Sequence, residues 1–170
     1  MRIVWQETHP KVLVKHILLS KSQHPATQRV KKRFPVAEPA KSAPIADLVA
    51  ALQSFLRGDA VEFDLSVLNW SQCSETQQRV LRAEAEIPRG WISTYKHIAQ
   101  HIGIANGARV VGNALARNPF PLVIPCHRAI KSDGTLGGYQ GGLAMKRRLL
   151  ENEGILFTPS GKVVMRNVYY

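Results

Sequence analysis

A cysteine and a histidine stand side by side at Cys126 and His127, directly after a short apolar run with proline at each end. The run Leu122–Ile124 lies between Pro121 and Pro125 and predicts a brief buried strand whose further pairing the prolines prevent. The polar residues that follow are expected to leave the core at a fixed place. Cysteine acts as a nucleophile when a base and a fixed position are provided, and both are offered here. The alternative is an inert buried thiol, since free cysteine is among the most buried residue types.

The charge balance of the chain is strongly basic, with a formal net charge of +11 and a pI of about 10.1. An excess of this size favours a polyanionic partner, of which nucleic acid is the commonest, although a basic protein without such a partner is the alternative. The hydrophobic content of 45% is enough to build a core. A length of 170 residues accommodates one domain or two small ones.

The sequence disfavours several classes of protein. It has no run of about 20 apolar residues that would span a membrane, and its N-terminus lacks the pattern of a secretory signal. Cys73 and Cys126 give neither a disulfide framework nor a zinc-binding spacing, so we expect a reduced protein in the cytoplasm, or in the nucleus of a eukaryote. His9, His16 and His24 also lack a convincing spacing of metal ligands, so no metal ligand is assigned and the question of a metal site stays open. No cofactor is expected.

Residues 1–72 predict a small α/β domain without chemistry of its own. Alternating or β-branched apolar residues predict strands, and an amphipathic segment that Pro44 begins and Gly58 ends predicts a helix. Ser20–Ala43 is rich in proline, lysine, arginine and serine and predicts a loop or linker with solvated charges. The predicted elements are strands at Arg2–Glu7, Val12–Leu19 and Val61–Leu65 and a helix at Ile45–Arg57.

Residues 73–154 predict a mainly α-helical domain, followed by a tail at 155–170. Two helices joined by a short glycine-containing turn are the outline of a helix-turn-helix, here of a winged-helix-like kind. Ser74 begins a capping box, and Asn106 is placed to cap the second helix of this motif. A glycine-rich loop, Lys131–Gly142, can bend over a ligand. The predicted helices run from Ser74 to Ile87, from Thr94 to Gly103, from Gly107 to Arg117 and from Leu143 to Asn152.

Two helical features indicate partners outside their own helix. Ala108 and Gly112 are small residues on one face of the third helix, with Arg109 beside them. Since glycine costs a helix about 1 kcal/mol relative to alanine, this face is expected to meet another backbone closely, either a neighbouring helix or a nucleic-acid groove. At the end of the last helix, the carboxylate of Glu153 opposes the helix dipole by about 0.3–1 kcal/mol, which suggests a hydrogen-bonding partner such as His127.

Together these residues resemble the O6-alkylguanine-DNA alkyltransferases, also called methylated-DNA–protein-cysteine methyltransferases. The resemblance extends in register over Glu75–Gly154 and is most specific at Pro125–Arg128, whereas residues 1–72 match only loosely. Gln140 departs from the pattern of many members and leaves the shape of the substrate pocket open. The other matching pieces are Ile92–Tyr95, Ala108–Gly112, Asn118-Pro119, Gly137–Tyr139, Gly142-Leu143 and Leu149–Gly154.

The resemblance implies a DNA repair protein that flips O6-alkylguanine out of duplex DNA and transfers the alkyl group irreversibly to Cys126, with O4-alkylthymine as a second candidate substrate. His127 would generate the thiolate through a water, and Glu153 would orient that histidine. Tyr95 would donate a hydrogen bond to the departing guanine. A monomer would bind double-stranded DNA through the minor groove, largely independently of sequence. The other implied roles are DNA contacts at Arg109, Ala108, Gly112 and Thr94, a substrate pocket at Tyr139, Gln140 and Pro121, and structural links at Asn118 and Arg128.

The chemistry sets two conditions on the site. An unperturbed thiol has a pKa of about 8.5, so we expect a histidine held by a carboxylate to depress the pKa of Cys126. On a regular strand Cys126 and His127 would point to opposite faces, so their cooperation requires a turn after Pro125 or a bridging water. The alternatives are a lesion-binding protein without activity on the same scaffold, a transcription factor with Cys126 as its sensor, and a cysteine hydrolase.

Overall fold

The computed structural model describes residues 1–20 and 25–170, which fall into two compact units. The first unit comprises Met1–Gln72 and Pro119–Val123, and the second comprises Cys73–Asn118 and Ile124–Tyr170. The tail at 155–170 therefore belongs to the second unit. Helices and two small sheets make up both units, and no helix in the described ranges is long and apolar enough to cross a membrane.

The first unit is built on an antiparallel hairpin of β1 (Arg2–Thr8) and β2 (Lys11–Leu18), as predicted. The register shifts once, between Val4 and Trp5. The segment Pro119–Val123 joins this hairpin, because the backbone N–H of Ile17 donates to the carbonyl of Pro119 at 2.8 Å.

The prediction of a linker over Ser20–Ala43 was wrong, because helix α1 occupies Ala26–Arg33. Val30 packs against a small core that includes Ala26 and residues of the hairpin, and Arg29 Nη1 donates to the carbonyl of Leu19 at 2.8 Å. Apolar residues four positions apart thus anchor the helix, while its charges stay on the solvent side. Residues 21–24, including His24, lie outside the described residues.

Helix α2 spans Ala43–Arg57, with Pro44 in its first turn and Gly58 in the left-handed conformation, as predicted. The strand predicted at Val61–Leu65 was wrong. Half-buried and exposed residues do alternate over this segment, but it does not pair as a strand. Phe63 packs edge-on against Phe55, with 5.7 Å between the ring centroids. A 3₁₀ turn at Leu65–Val67 follows, and a second lies at Trp70–Gln72.

The second unit begins with α3 (Glu75–Glu86), where the Ser74 hydroxyl accepts from the backbone N–H of Gln77. A two-residue strand β3 (Ser93–Thr94) pairs in parallel with β4 (Ala129–Ile130), a contact that the sequence did not predict. Thr94 caps α4 (Tyr95–His101) as expected. The remaining helices are α5 (Ala108–Ala116) and α6 (Leu143–Asn152), the latter as predicted.

Three local predictions in this part of the chain were wrong. Asn106 does not cap α5, because its φ of 53° places it in a left-handed turn and Gly107 takes the capping position. Leu122–Ile124 is not a strand, because Leu122 has a φ of 79° and turns the chain. The polar residues after Pro125 also stay in the core, since Asn118–Ile130 is buried throughout.

The core of the second unit includes residues of the tail. Ile155 and Val163 pack in one cluster with Ile92, Ile130 and Leu150. The last residues run beside Ile92, whose N–H donates to the carbonyl of Asn167 at 2.9 Å and whose carbonyl accepts from the N–H of Tyr169 at 2.7 Å. The tail, to which the sequence assigned no role, therefore helps to hold the segment that leads into β3.

We expect Ile155→Ala to destabilise the second unit by about 2–3 kcal/mol, because the substitution leaves a cavity in this cluster. Leu156→Ala is the matched control. Its side chain is 58% exposed, so the loss should stay within about 0.5 kcal/mol. Urea unfolding measures both values, and equal losses for the two variants would mean that the tail is not part of the core.

Candidate active site

The chain turns immediately after Pro125, as the cooperation of Cys126 and His127 requires. The N–H of Arg128 donates to the carbonyl of Pro125 at 2.8 Å, which closes a turn with Cys126 and His127 at its centre. The N–H of Cys126 donates to the carbonyl of Ile124, also at 2.8 Å. Both side chains are held inside the second unit, with Cys126 5% exposed and His127 fully buried.

Glu153, at the end of α6, binds His127 and Arg128 together. Its Oε1 lies 2.8 Å from His127 Nε2, as the misplaced helix-end carboxylate suggested. Arg128 donates from Nε to Oε2 at 2.9 Å and from Nη2 to Oε1 at 2.8 Å, so the pair is bidentate. A third donor, Arg128 Nη1, reaches the carbonyl of Ile87 at 2.6 Å, also within the second unit.

The protonation of this network follows from its partners. Burial alone would raise the pKa of Glu153, but hydrogen bonds from His127 and Arg128 outweigh it and lower that pKa to about 2. Burial lowers the pKa of His127 against the opposing effect of Glu153. A neutral imidazole that donates from Nε2 to an ionised Glu153 presents Nδ1 as its proton acceptor, which is what a general base needs.

The thiol of Cys126 is less acidic than expected. Burial and a charge on Glu84 raise its pKa, while a hydrogen bond from Asn118 and the charge of Lys146 lower it, and the resulting pKa is about 12. The expectation of a depressed pKa was therefore wrong for the resting protein, because desolvation outweighs the favourable contacts. Cys126 rests as a thiol and needs a base at the moment of reaction.

Tyr95 is the first residue of α4, and its phenol lies against the glycine-rich loop. Burial raises the pKa of Tyr95 to about 12, which keeps it a neutral hydrogen-bond donor. Gly137 has a φ of 67°, and a Cβ at this position would lie 2.5 Å from the Tyr95 hydroxyl. Only glycine therefore fits this approach of the loop to the tyrosine.

Lys146 organises the same loop and was missed in the sequence. It is fully buried on α6, and its Nζ donates to the carbonyls of Ala129 and Leu136 at 2.6 Å and of Gly138 at 3.4 Å. The ammonium also lies 5.9 Å from the centre of the Tyr95 ring. Its burial could have been predicted from its position, because a residue three positions before the inward-facing Leu149 lies on the same face of the helix.

The three residues assigned to the substrate pocket have different surroundings. The ring of Tyr139 meets that of His127 edge-on at 6.4 Å, and its buried hydroxyl has no hydrogen-bond partner within residues 1–20 and 25–170. Gln140 Nε2 donates to the carbonyl of Asn118 at 2.6 Å, which ties the loop to the end of the α5 segment. Pro121 belongs to the first unit.

The residues assigned to DNA contact do not all lie on an open surface. Arg109 is exposed on α5, and Ala108 is half-buried. A Cβ at Gly112 would meet no atom within 4 Å, so packing against a neighbouring helix does not explain this glycine. Thr94 was wrongly assigned, because it is 1% exposed and its hydroxyl caps α4.

The site has no metal-binding cluster, since no three histidine, cysteine or carboxylate side chains among the described residues come together to hold an ion. Cys73, the second cysteine, is a buried thiol directly before the cap of α3. Burial raises its pKa as well.

Glu153→Gln should lower the free energy of unfolding above about pH 4.5, and this loss should become smaller as the pH falls. The folded pKa of Glu153 is about 2, below its ordinary value of 4.5, so its stabilisation is present above pH 4.5 and is lost as the pH falls through about 2. This contribution is about 3 kcal/mol. Glu151→Gln, which alters an exposed pair with Arg147 on the same helix, should cost less than about 0.5 kcal/mol at any pH. A Glu153→Gln deficit that stays constant down to about pH 2.5 in chemical unfolding would contradict the ionised Glu153.

Gly137→Ala should destabilise the protein by about 1–2 kcal/mol and displace the Tyr95 ring, because the new methyl group meets the phenol at a strained φ. Gly138→Ala is the control, since a Cβ there meets no atom within 4 Å. Thermal unfolding and a crystal structure of each variant measure the effect. Equal stability of the two variants, with Tyr95 in place, would contradict the close approach.

Comparison with known proteins identifies the family. A family model described as 6-O-methylguanine DNA methyltransferase, DNA binding domain, matches residues 75–155. The methylated-DNA–protein-cysteine methyltransferase of Methanothermobacter thermautotrophicus is 52% identical over 111 residues, which cover 65% of this chain and 62% of that protein. That of Mycobacterium leprae is 41% identical over 109 residues, 64% of each chain. The matched region thus spans less than two thirds of either relative.

Solved structures extend the match. The O6-methylguanine methyltransferase of Mycobacterium tuberculosis superposes with a TM-score of 0.64 at 32% identity, over 89% of this chain and 91% of that one. The OGT of M. tuberculosis in complex with DNA gives a TM-score of 0.57 at 40% identity, over 64% and 66% of the two chains. On this similarity over nearly the whole length of a solved relative, the chain belongs to the 6-O-methylguanine-DNA methyltransferase family.

Proposed function

We propose that this protein repairs O6-alkylguanine in DNA by transferring the alkyl group to its own Cys126. The observation that carries the proposal is the turn that places a buried cysteine next to a histidine held by an ionised carboxylate. Such a set supplies a nucleophile, a base and an orienting group. The membership of the family and the names of its relatives support this choice of substrate over the ester or amide of a cysteine hydrolase.

In the proposed reaction the sulfur proton passes to Nδ1 of His127, directly or through one water. The sulfur of Cys126 then forms a bond to the alkyl carbon, and the bond from that carbon to guanine O6 breaks. Its electron pair returns to the guanine ring, which takes up a proton, and the phenol of Tyr95 donates a hydrogen bond to the departing base. Since water does not displace a thioether under mild conditions, each molecule acts once.

The resting thiol fits this sequence of steps. A pKa of about 12 means that little thiolate exists before substrate arrives, so His127 must accept the proton as the sulfur attacks. The neutral state of His127 makes that transfer available. Asn118 and Lys146 stabilise the developing negative charge, because each already lowers the pKa of Cys126.

The substrate base must leave the duplex to reach the sulfur. Guanine O6 lies on the major-groove edge of a base that is stacked inside the duplex, and Cys126 is only 5% exposed. The nucleotide must therefore flip out of the duplex for its alkyl group to reach the sulfur. Helices α4 and α5 form the helix-turn-helix in this proposal, with the exposed Arg109 filling the vacated stack from the minor groove. Tyr139 offers the flipped base an aromatic surface, worth about 1–3 kcal/mol of stacking.

Double-stranded DNA is the proposed partner, bound by a monomer and largely independently of sequence. The net charge of +11 supplies phosphate contacts that carry no base information and weaken with salt. A relative from M. tuberculosis has been solved in complex with DNA, which supports the choice of partner. O4-alkylthymine is the second candidate substrate.

Transfer from duplex DNA that carries methyl-labelled O6-methylguanine tests the proposal. We expect one label per protein molecule, located on Cys126 by peptide mass spectrometry. Cys126→Ser should abolish the label and keep DNA binding, whereas Cys73→Ser, which alters the other buried thiol, should react normally. Label on Cys73, repeated turnover, or tight binding without transfer would each contradict the proposal.

Gly112→Ala should raise stability and lower repair. Alanine favours a helix by about 1 kcal/mol over glycine, and the open space at Gly112 leaves room for the methyl group in the free protein. The same methyl group would obstruct close approach of the DNA, so we expect several-fold slower transfer from duplex DNA. Reaction with free O6-benzylguanine is the control and should not change. Unchanged transfer from duplex DNA would remove this face of α5 from the interface.

A further inference from the structure

Glu84 is a buried acid that the proposed reaction does not use. It lies on α3, is fully buried, and neither of its carboxyl oxygens makes a hydrogen bond of normal geometry to any described residue. Buried polar groups are nearly always hydrogen-bonded, and an ionised carboxylate is the costliest group to leave without a partner. These surroundings therefore favour the neutral, protonated form of Glu84. They do not explain why an acidic residue occupies this buried position.

Lys146 is the opposite charge in the same region. Its three carbonyl acceptors take up the three hydrogens of an ammonium group, which a neutral amine could not supply. Burial lowers the pKa of Lys146 to about 8, whereas charges on Cys126 and Glu84 raise it. The described residues place no carboxylate within ion-pair distance of the ammonium.

The pKa of Cys126 responds to both charges, and the pKa of Tyr95 responds to that of Glu84. A charge on Lys146 lowers the pKa of Cys126, while a charge on Glu84 raises that pKa and the pKa of Tyr95. The groups that act on Glu84 come from several elements: the charges of Lys146 on α6 and of Arg128, and the backbone amide of Ala129 on β4. Tyr170 in the tail also responds to Glu84.

We propose that Glu84 is a further positioning residue of the transfer reaction, one that controls the net charge beside Cys126. As a neutral acid it leaves the charge of the Lys146 ammonium unopposed, which favours the thiolate of Cys126. As a carboxylate it cancels that charge and disfavours the thiolate. The inference rests on the proposed function, in which Cys126 is the nucleophile.

The ionisation of Glu84 makes the reactivity of the Cys126 sulfur depend on pH. Burial raises the pKa of Glu84 to about 8 against the lowering effects of Lys146, Arg128 and the Ala129 amide, so the acid is neutral below that pH and ionised above it. Thiol reactions ordinarily speed up with rising pH as more thiolate forms. At Cys126 the ionisation of Glu84 opposes this gain, so the reactivity of the sulfur should rise less steeply above about pH 8 than it does without Glu84.

The test combines a titration with a thiol reaction that needs no DNA. Carbon-13 NMR of the wild-type protein follows the Glu84 carboxyl, which should titrate above about pH 7. Peptide mass spectrometry measures alkylation of Cys126 by iodoacetamide in Glu84→Gln, where the neutral isostere should react about threefold or more faster than wild type at about pH 9. Glu86→Gln, on the same helix but with a side chain 57% exposed, is the matched control and should follow the wild type.

Titration of Glu84 near its ordinary pKa, or equal alkylation of Glu84→Gln and wild type at about pH 9, would overturn the inference. If Glu84→Gln fails to fold, the wild-type titration decides alone. Failure of the proposed function is a separate result, because loss of label transfer from O6-methylguanine leaves the carboxyl titration and the iodoacetamide rates unaffected.

Discussion

A single buried carboxylate, that of Glu153, is the interaction on which the proposed site depends. It receives two hydrogen bonds from Arg128 and one from the ring of His127, all within 2.9 Å, at a helix end where the dipole alone would disfavour a negative charge. A buried charge is tolerated only when its partners are complete, so the end of α6 and the turn after Pro125 must be held together. That constraint fixes both the orientation and the protonation of His127. The rest of the second unit keeps these two segments in place, including the tail that packs beside β3.

Burial of the proposed nucleophile protects the thiol of Cys126 but also lowers its reactivity. A thiol with a pKa of about 12 is protected from stray electrophiles and oxidants, because the thiolate is the reactive form. The same burial means that the proton must be removed during the reaction, which gives His127 its proposed part. The buried ammonium of Lys146 and the buried acid Glu84 act on the same sulfur with opposite signs. A site of this kind is adjusted by the charges around the sulfur as much as by the base beside it.

Local features were predictable from the sequence where a single residue type determines them. The caps at Ser74 and Thr94, the limits of α6 and the pairing of Glu153 with His127 all follow from residues close in sequence or from one misplaced charge. Several of the wrong predictions have a different cause, because the structure there depends on contacts between distant residues. Helix α1 forms through packing on a hairpin, and the pairing of β3 with β4 joins two residues to two others 36 positions away. The resting pKa of Cys126 was misjudged for the same reason, since desolvation is a property of the folded surroundings.

The state of the His127 ring tests the central claim most directly. Nitrogen-15 NMR of protein labelled at histidine distinguishes the two neutral tautomers from the imidazolium ion. We expect a neutral ring at about pH 7, with the proton on Nε2 toward Glu153 and Nδ1 unprotonated, because burial lowers the pKa of His127 while the carboxylate fixes the tautomer. An imidazolium ion at that pH, or a neutral ring with its proton on Nδ1, would leave Cys126 without a base and would contradict the account.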